Sequence, residues 1–151
     1  MKIRGFEEVI PSMKKNSVPS ILPNKGTKSS AGYDFAIPID ITIYPHSKEL
    51  IFTDVKAYMQ EGEVLTLHVR SSIGIKKGLM LSNITGIIDM DYYSNPDNDG
   101  NIGISLYNNS ETSVTLKAGE RVAQGIFIKF LEADNGNTDN KRSGGVGSSG
   151  N

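Results

Sequence analysis

Apolar residues along this chain come in short runs that alternate with polar ones, and Gly, Pro, Asn or Asp closes each run within a few positions. No sustained helical period is found, so the pattern predicts strands. Residues 2–10 read as a first strand and residues 11–30, rich in Pro, Ser, Asn and Lys, as a connector. Residues 31–37 and 39–44 follow as strand segments, the second with alternating Ile and bounded by Pro38 and Pro45. Residues 50–59 and 64–69 supply two more strands around a turn at 60–63. Because side chains alternate across a strand, Thr66, His68 and Arg70 share one face and Leu65, Leu67 and Val69 the other. A short helix or turn is expected over 72–77, with Ser71 and Ser72 before it and Gly78 to stop it. Strands over 79–81, 102–107, 112–116 and 121–131 complete the series, with an exposed, turn-rich loop at 94–101 and a turn at Gly119 and Glu120. Many short strands at regular spacing, without an internal repeat, predict an all-β barrel or sandwich of jelly-roll type.

Composition narrows the function classes. At 151 residues the chain has the length of one domain and can bury a core without staples. It contains no Cys, which excludes disulfides and thiolate metal sites and suits a reducing compartment. A formal net charge of -1, with Lys and Arg spread along the chain, gives no footprint for duplex nucleic acid and points to small phosphates. No apolar run is long enough to span a bilayer and no signal-like stretch opens the chain, so a soluble, cytoplasmic protein is expected. From Glu132 onward Asp, Asn, Gly, Ser and Thr dominate, and the tail has too little apolar surface to fold by itself. Its Gly-rich end, headed by Lys141 and Arg142, reads either as a flexible terminus or as a segment that wraps an anion with backbone N–H groups when ordered.

The candidate chemistry concentrates in residues 82–93, Ser-Asn-Ile-Thr-Gly-Ile-Ile-Asp-Met-Asp-Tyr-Tyr. Read as a tight hairpin, this stretch offers the two-way amide of Asn83 and a backbone at Gly86 free to turn or approach a ligand. Asp89 follows an apolar pair that would bury its stem, making it a candidate base held by packing. An ordinary surface turn with two strand tyrosines is the competing reading.

Five segments, in order, resemble the motif set of the trimeric dUTP pyrophosphatases (dUTPases). Ala31-Gly32-Tyr33-Asp34-Phe35 is similar to the first. Arg70-Ser71-Ser72 with Gly74 and Gly78 resembles the second, and residues 83–92 with their Gly-Ile-Ile-Asp-Met-Asp-Tyr core the third. Gly119-Glu120-Arg121-Val122-Ala123-Gln124 resembles the fourth, and residues 142–150 the fifth. The resemblance implies a β-clip barrel over residues 1–133, with a flexible Gly-rich arm at 134–151 that closes over an active site. It implies Mg²⁺-dependent hydrolysis of dUTP to dUMP and pyrophosphate by a homotrimer whose sites draw on more than one subunit.

By this resemblance Asp89 activates the attacking water, the least machinery that in-line attack on phosphorus needs. Tyr92 packs on the deoxyribose where a 2′-hydroxyl would clash. Asn83, with backbone groups of Ile87, Ile88 and Gly103, recognises uracil, and Gly86 beside them is a further substrate-binding position. Arg70, Ser71, Ser72 and Gln124 take the phosphates, Arg142 the γ-phosphate, and the arm residues Val146, Gly147 and Ser148 cover the nucleotide. Mg²⁺ is held chiefly by phosphate oxygens and waters, with Asp34 either touching its water shell or bracing the site. Arg121 reads as an ion-pair partner or a ligand contact, and His68 as a strand residue. Two departures stand out: Val146 occupies a position where an aromatic is usual, and Lys141 directly before Arg142 leaves two registers open for the fifth motif. Two other readings stay open at this point: a dCTP deaminase of the same fold, and a catalytically weak nucleotide-binding regulatory protein. Residues 94–101 are a candidate contact for a protein partner.

Overall fold

The computed structural model describes residues 1–147. Among these residues twelve strands form: β1 Gly5–Glu8, β2 Asn24–Lys25, β3 Tyr33–Ala36, β4 Ile41–Ile43, β5 Lys48–Phe52, β6 Val55–Tyr58, β7 Glu63–Val69, β8 Leu79–Leu81, β9 Gly86–Ile88, β10 Gly103–Asn108, β11 Val114–Leu116 and β12 Arg121–Lys129. Short helical turns at Pro11–Met13, Ser72–Lys76 and Met90–Tyr92 interrupt them. The all-β expectation holds. No helix among the described residues is long and apolar enough to cross a membrane.

A five-stranded sheet runs β2-β3-β12-β7-β9, a three-stranded sheet β5-β10-β8, and β1-β6 and β11-β4 pair separately. Every pairing is antiparallel. Alternation does what the pattern requires: in β10 Ile104, Leu106 and Asn108 are buried while Gly103, Ser105 and Tyr107 are half-buried. Ile104 and Leu106 meet Phe35, Leu65, Leu67, Leu81 and Val122 in one apolar core between the sheets. Each such side chain contributes about 1.5–3 kcal/mol through removal from water. Phe6 closes one end of it, packed edge-on against Phe35 at 5.4 Å between ring centres.

Three expectations need correction. The single strand expected at 50–59 is two, because the chain turns at Thr53 and Asp54, the latter at φ 60°. There the Asp54 carboxylate accepts from the Lys15 and Asn16 backbone N–H groups and from the side-chain amides of Asn16 and Asn101. The segment 82–93 is no two-stranded hairpin either: β8 pairs with β10, whereas β9 pairs with β7 in the other sheet. Residues 82–85 therefore carry the chain from one sheet to the other. Lastly, the 94–101 loop is not merely exposed, since Asn95, Asp99 and Asn101 are buried. Asp99 Oδ2 accepts from Lys56 Nζ at 2.9 Å and from Ile10 N–H at 2.8 Å, which ties the loop to β6 and to the N-terminal segment.

Candidate active site

A cavity of about 330 Å³ opens where the chain crosses between sheets. Its floor is apolar core, formed by Leu67, Leu81 and Ile104. Asn83, Gly86, Ile87, Ile88, Asp89 and Tyr92 make one wall, Gly103 and Ser105 of β10 the other, and Arg142, Val146 and Gly147 of the tail form the roof. Ten of the expected site residues thus come together, Asn83, Gly86, Ile87, Ile88, Asp89, Tyr92, Gly103, Arg142, Val146 and Gly147. Ser148 lies outside the described residues.

Strand β9 is an edge strand, held by the register Leu65↔Ile88, Thr66↔Ile87 and Leu67↔Gly86. Its outer row of backbone donors and acceptors therefore has no strand partner among the described residues, and such a row can read the polar edge of a planar ligand. Gly86, besides lining the cavity, serves the packing of the sheet. A Cβ there would stand 2.9 Å from Leu67 Cβ, so glycine lets β9 lie tight against β7.

Asp89 directly precedes the helical turn Met90–Tyr92 and its carbonyl accepts from Tyr92 N–H at 3.1 Å. Its side chain is 54% exposed, so packing does not hold it as expected. An arginine does: Arg142 Nη2 donates to Asp89 Oδ2 at 2.8 Å and Arg142 Nε to Asp91 Oδ1 at 2.7 Å. Two paired bonds from a planar guanidinium fix orientation better than a single flexible ammonium would. The result is a carboxylate at the cavity mouth, in contact with solvent, which is what polarising a water demands.

Tyr92 is buried, and its hydroxyl is used twice: it donates to Asn101 O at 2.6 Å and accepts from Asn98 Nδ2 at 2.8 Å. Burial pushes the phenol above its ordinary pKa, against the Asn98 hydrogen bond and the nearby Arg142 charge, so it stays protonated at neutral pH. The Arg142 guanidinium lies 5.8 Å from the Tyr92 ring centre. Val146 is 83% exposed at the rim.

The remaining expected residues form a second group on the five-stranded sheet. Asp34 Oδ1 lies 3.4 Å from Arg70 Nε, and its Oδ2 accepts from Arg121 Nη1 at 3.2 Å. Register places Gln124 between Asp34 and His68, and a Cβ on Gly32 would collide with Gln124 Oε1 at 2.5 Å. Ser71 and Ser72 open the helical turn that follows Arg70, whose carbonyl accepts from the Ile73 and Gly74 N–H groups. None of Asp34, Arg70, Ser71, Ser72 and Gln124 lines the cavity. Both carboxylate oxygens of Asp34 thus face arginines. No group of three or more His, Asp or Glu able to hold a metal occurs among the described residues.

Sequence reasoning gave no role to Asp91, Asn98 or Gly145. Asp91 was visible as the second carboxylate of the stretch; Asn98 and Gly145 looked like any polar loop and any Gly-rich tail.

Comparison with known proteins gives the same picture from outside. Residues 19–150 match the dUTPase family. The chain is 47% identical, over 99% of both sequences, to the deoxyuridine 5'-triphosphate nucleotidohydrolase of Lactococcus lactis subsp. lactis (strain IL1403). Among solved structures it is similar to the dUTPase of Streptococcus mutans, at TM-score 0.76 and 45% identity, over 87% of this chain and 99% of that one. A phage phi11 dUTPase from S. aureus, a variant solved with a structural Mg(II) ion, shares the fold at TM-score 0.70 and 21% identity, over 91% of this chain and 97% of that one.

Proposed function

The chain belongs to the dUTPase family, and from that premise we infer that it is a dUTP nucleotidohydrolase, splitting dUTP into dUMP and pyrophosphate. The observation that carries the reading to this chain's own residues is Asp89, a solvent-accessible carboxylate at the mouth of a cavity whose wall is the unpaired edge of β9. In the reaction, Asp89 takes the proton of a water as that water attacks phosphorus in line, and pyrophosphate leaves. Backbone groups of Ile87 and Ile88, with the Asn83 amide and Gly103, pair with uracil. Cytosine would leave some of those groups covered by the base without partners, which is a strong basis for rejection. The Tyr92 ring faces the deoxyribose.

The metal of this reading is divalent, and Mg²⁺ fits best. A chain with no protein cage for a metal among the described residues matches an ion that keeps its waters and is held by the triphosphate oxygens. Such an ion neutralises charge on the phosphates. The assembly of this reading is a homotrimer. Its support is the separation of the Arg70, Ser71, Ser72 and Gln124 group from the cavity of its own chain, since a neighbouring copy can bring that group to the phosphates. The reading assigns the enzyme to the cytoplasm, which suits a cysteine-free chain, and gives it no nucleic-acid or membrane partner.

The test is pyrophosphate release from dUTP with Mg²⁺, beside UTP and dCTP, with the product base identified by chromatography. Rapid formation of dUMP from dUTP alone is expected. Ammonia release from dCTP, or nucleotide binding without cleavage, would overturn the reading. Sedimentation equilibrium tests the trimer.

A further inference from the structure

Within the 94–101 loop, one side chain, Asn98, is aimed by its own neighbours at Tyr92, a residue of the cavity wall. Asn98 Oδ1 accepts from Gly100 N–H at 3.0 Å and from Asn95 Nδ2 at 2.7 Å. Asn95 is itself fixed, giving Nδ2 to Tyr92 O and accepting at Oδ1 from the Asp97 and Asn98 N–H groups. With two donors on Oδ1, the amide has only one consistent orientation, and Nδ2 must be the atom aimed at the Tyr92 hydroxyl. That hydroxyl has committed its proton to Asn101 O, so it can only accept. The same Nδ2 also meets the tail: a Cβ on Gly145 would lie 2.8 Å from Asn98 Nδ2 and 3.5 Å from Tyr92 Cε1. Asn98 and the Tyr92 ring edge are therefore the surface on which the buried backbone at Gly145 rests.

We propose that Asn98 is a positioning residue for the sugar end of the site: it clamps the Tyr92 ring by its hydroxyl and seats the arm at Gly145. It thereby sets how tightly dUTP is held and how strongly a 2′-hydroxyl is refused. This rests on the reading that Tyr92 faces deoxyribose. A ring pinned at its far end cannot swing away to admit an extra oxygen, whereas a ring held only by packing can tilt. The loop is anchored by the buried Asp99–Lys56 ion pair, so the clamp has a rigid base.

The experiment measures KM and kcat for dUTP and UTP in Asn98→Ala, Asn98→Asp, Tyr92→Phe and the double variant Asn98→Ala with Tyr92→Phe, with thermal midpoints to check the fold. Losing one hydrogen bond and one packing surface should raise KM for dUTP about five- to tenfold in Asn98→Ala, with kcat within about twofold, and should narrow the preference for dUTP over UTP by a similar factor. Asn98→Asp keeps the shape but turns an acceptor toward an acceptor, and should do no better. Tyr92→Phe removes the partner, and with it the bond to Asn101 O, but leaves Asn98 bonded to Asn95 and Gly100, so its KM should rise at least as far as that of Asn98→Ala. In the double variant the second change should add little. Additive effects, or an unchanged KM in a folded Asn98 variant, overturn the proposal. If Asn98→Ala fails to fold, Asn98→Asp and Tyr92→Phe decide by the same criteria. A parent protein that cleaves UTP as readily as dUTP would refute the sugar reading of Tyr92 separately, leaving the KM cycle to judge Asn98.

Discussion

Arg142 closes on Asp89, Nη2 to Oδ2 at 2.8 Å, while its Nε takes Asp91 at 2.7 Å. The tail is thus fastened to the carboxylate assigned to the chemistry. On the proposed reading a γ-phosphate would compete with this carboxylate pair for one guanidinium, so that seating of the arm on substrate and release of Asp89 would be a single exchange.

Arg142→Ala tests that exchange. Ion pairs to exposed carboxylates contribute little to global stability, about 0–1 kcal/mol, so the thermal midpoint should hardly move. Proteolysis within residues 132–141 should accelerate, and KM for dUTP should rise about tenfold, as for loss of one charge-assisted contact. A fall in KM would instead make Arg142 a latch that obstructs the site.

Asp89→Asn keeps an oxygen for Arg142 to bind but removes the proton acceptor. Turnover should fall by about 10²–10⁴, with affinity for a non-hydrolysable dUTP analogue, measured by calorimetry, within severalfold of the parent. Near-normal turnover would move the base elsewhere.

Val146→Phe puts a ring at the rim position where valine offers no flat face. Stacking on the base should lower KM about three- to tenfold. Unchanged KM and kcat would mean that this stretch of tail does not cover the base.

Acid should loosen the 94–101 loop first. Burial pushes the Asp99 carboxyl up, but the Lys56 hydrogen bond and charge and the Ile10 N–H win, leaving its folded pKa below the ordinary value. The unfolded chain protonates this group near pH 4, so the stabilisation is complete above about pH 4 and is lost as pH falls through the lowered folded value. Asp54 behaves alike: burial opposes ionisation, and bonds from Lys15, Asn16 and Asn101 outweigh it. Melting curves between pH 2 and 7 should show the midpoint dropping on the acid side. Asp99→Asn should flatten that slope and destabilise at neutral pH by about 3 kcal/mol, because the buried Lys56 loses its carboxylate partner.

The strands that the letters reveal are those with a period of two, such as residues 65–69 of β7, or a long apolar run after a clear turn, such as β12. Their partners stay hidden, because alternation says which face is apolar and nothing about which neighbour lies alongside. That is why residues 82–93 read as a hairpin although their flanking strands join different sheets. Asp54 was swallowed into an apolar run because a single buried carboxylate in a left-handed conformation leaves no periodic trace. In the site, residues 83–92 were legible as chemistry out of place in a core strand. The phosphate group around Arg70 and Gln124 was legible too, but not its distance from the cavity. Asn98 was not legible at all, since its use depends on Oδ1 being filled by two loop donors.

Because residues 82–85 step from one sheet to the other, the two walls of the cavity belong to separate slabs joined through Leu67, Leu81 and Ile104. The gap between its jaws is then a reading of how closely the slabs approach, as with a caliper. Trimming a methyl group deep beneath, far from any nucleotide, should register as altered affinity before it registers as unfolding.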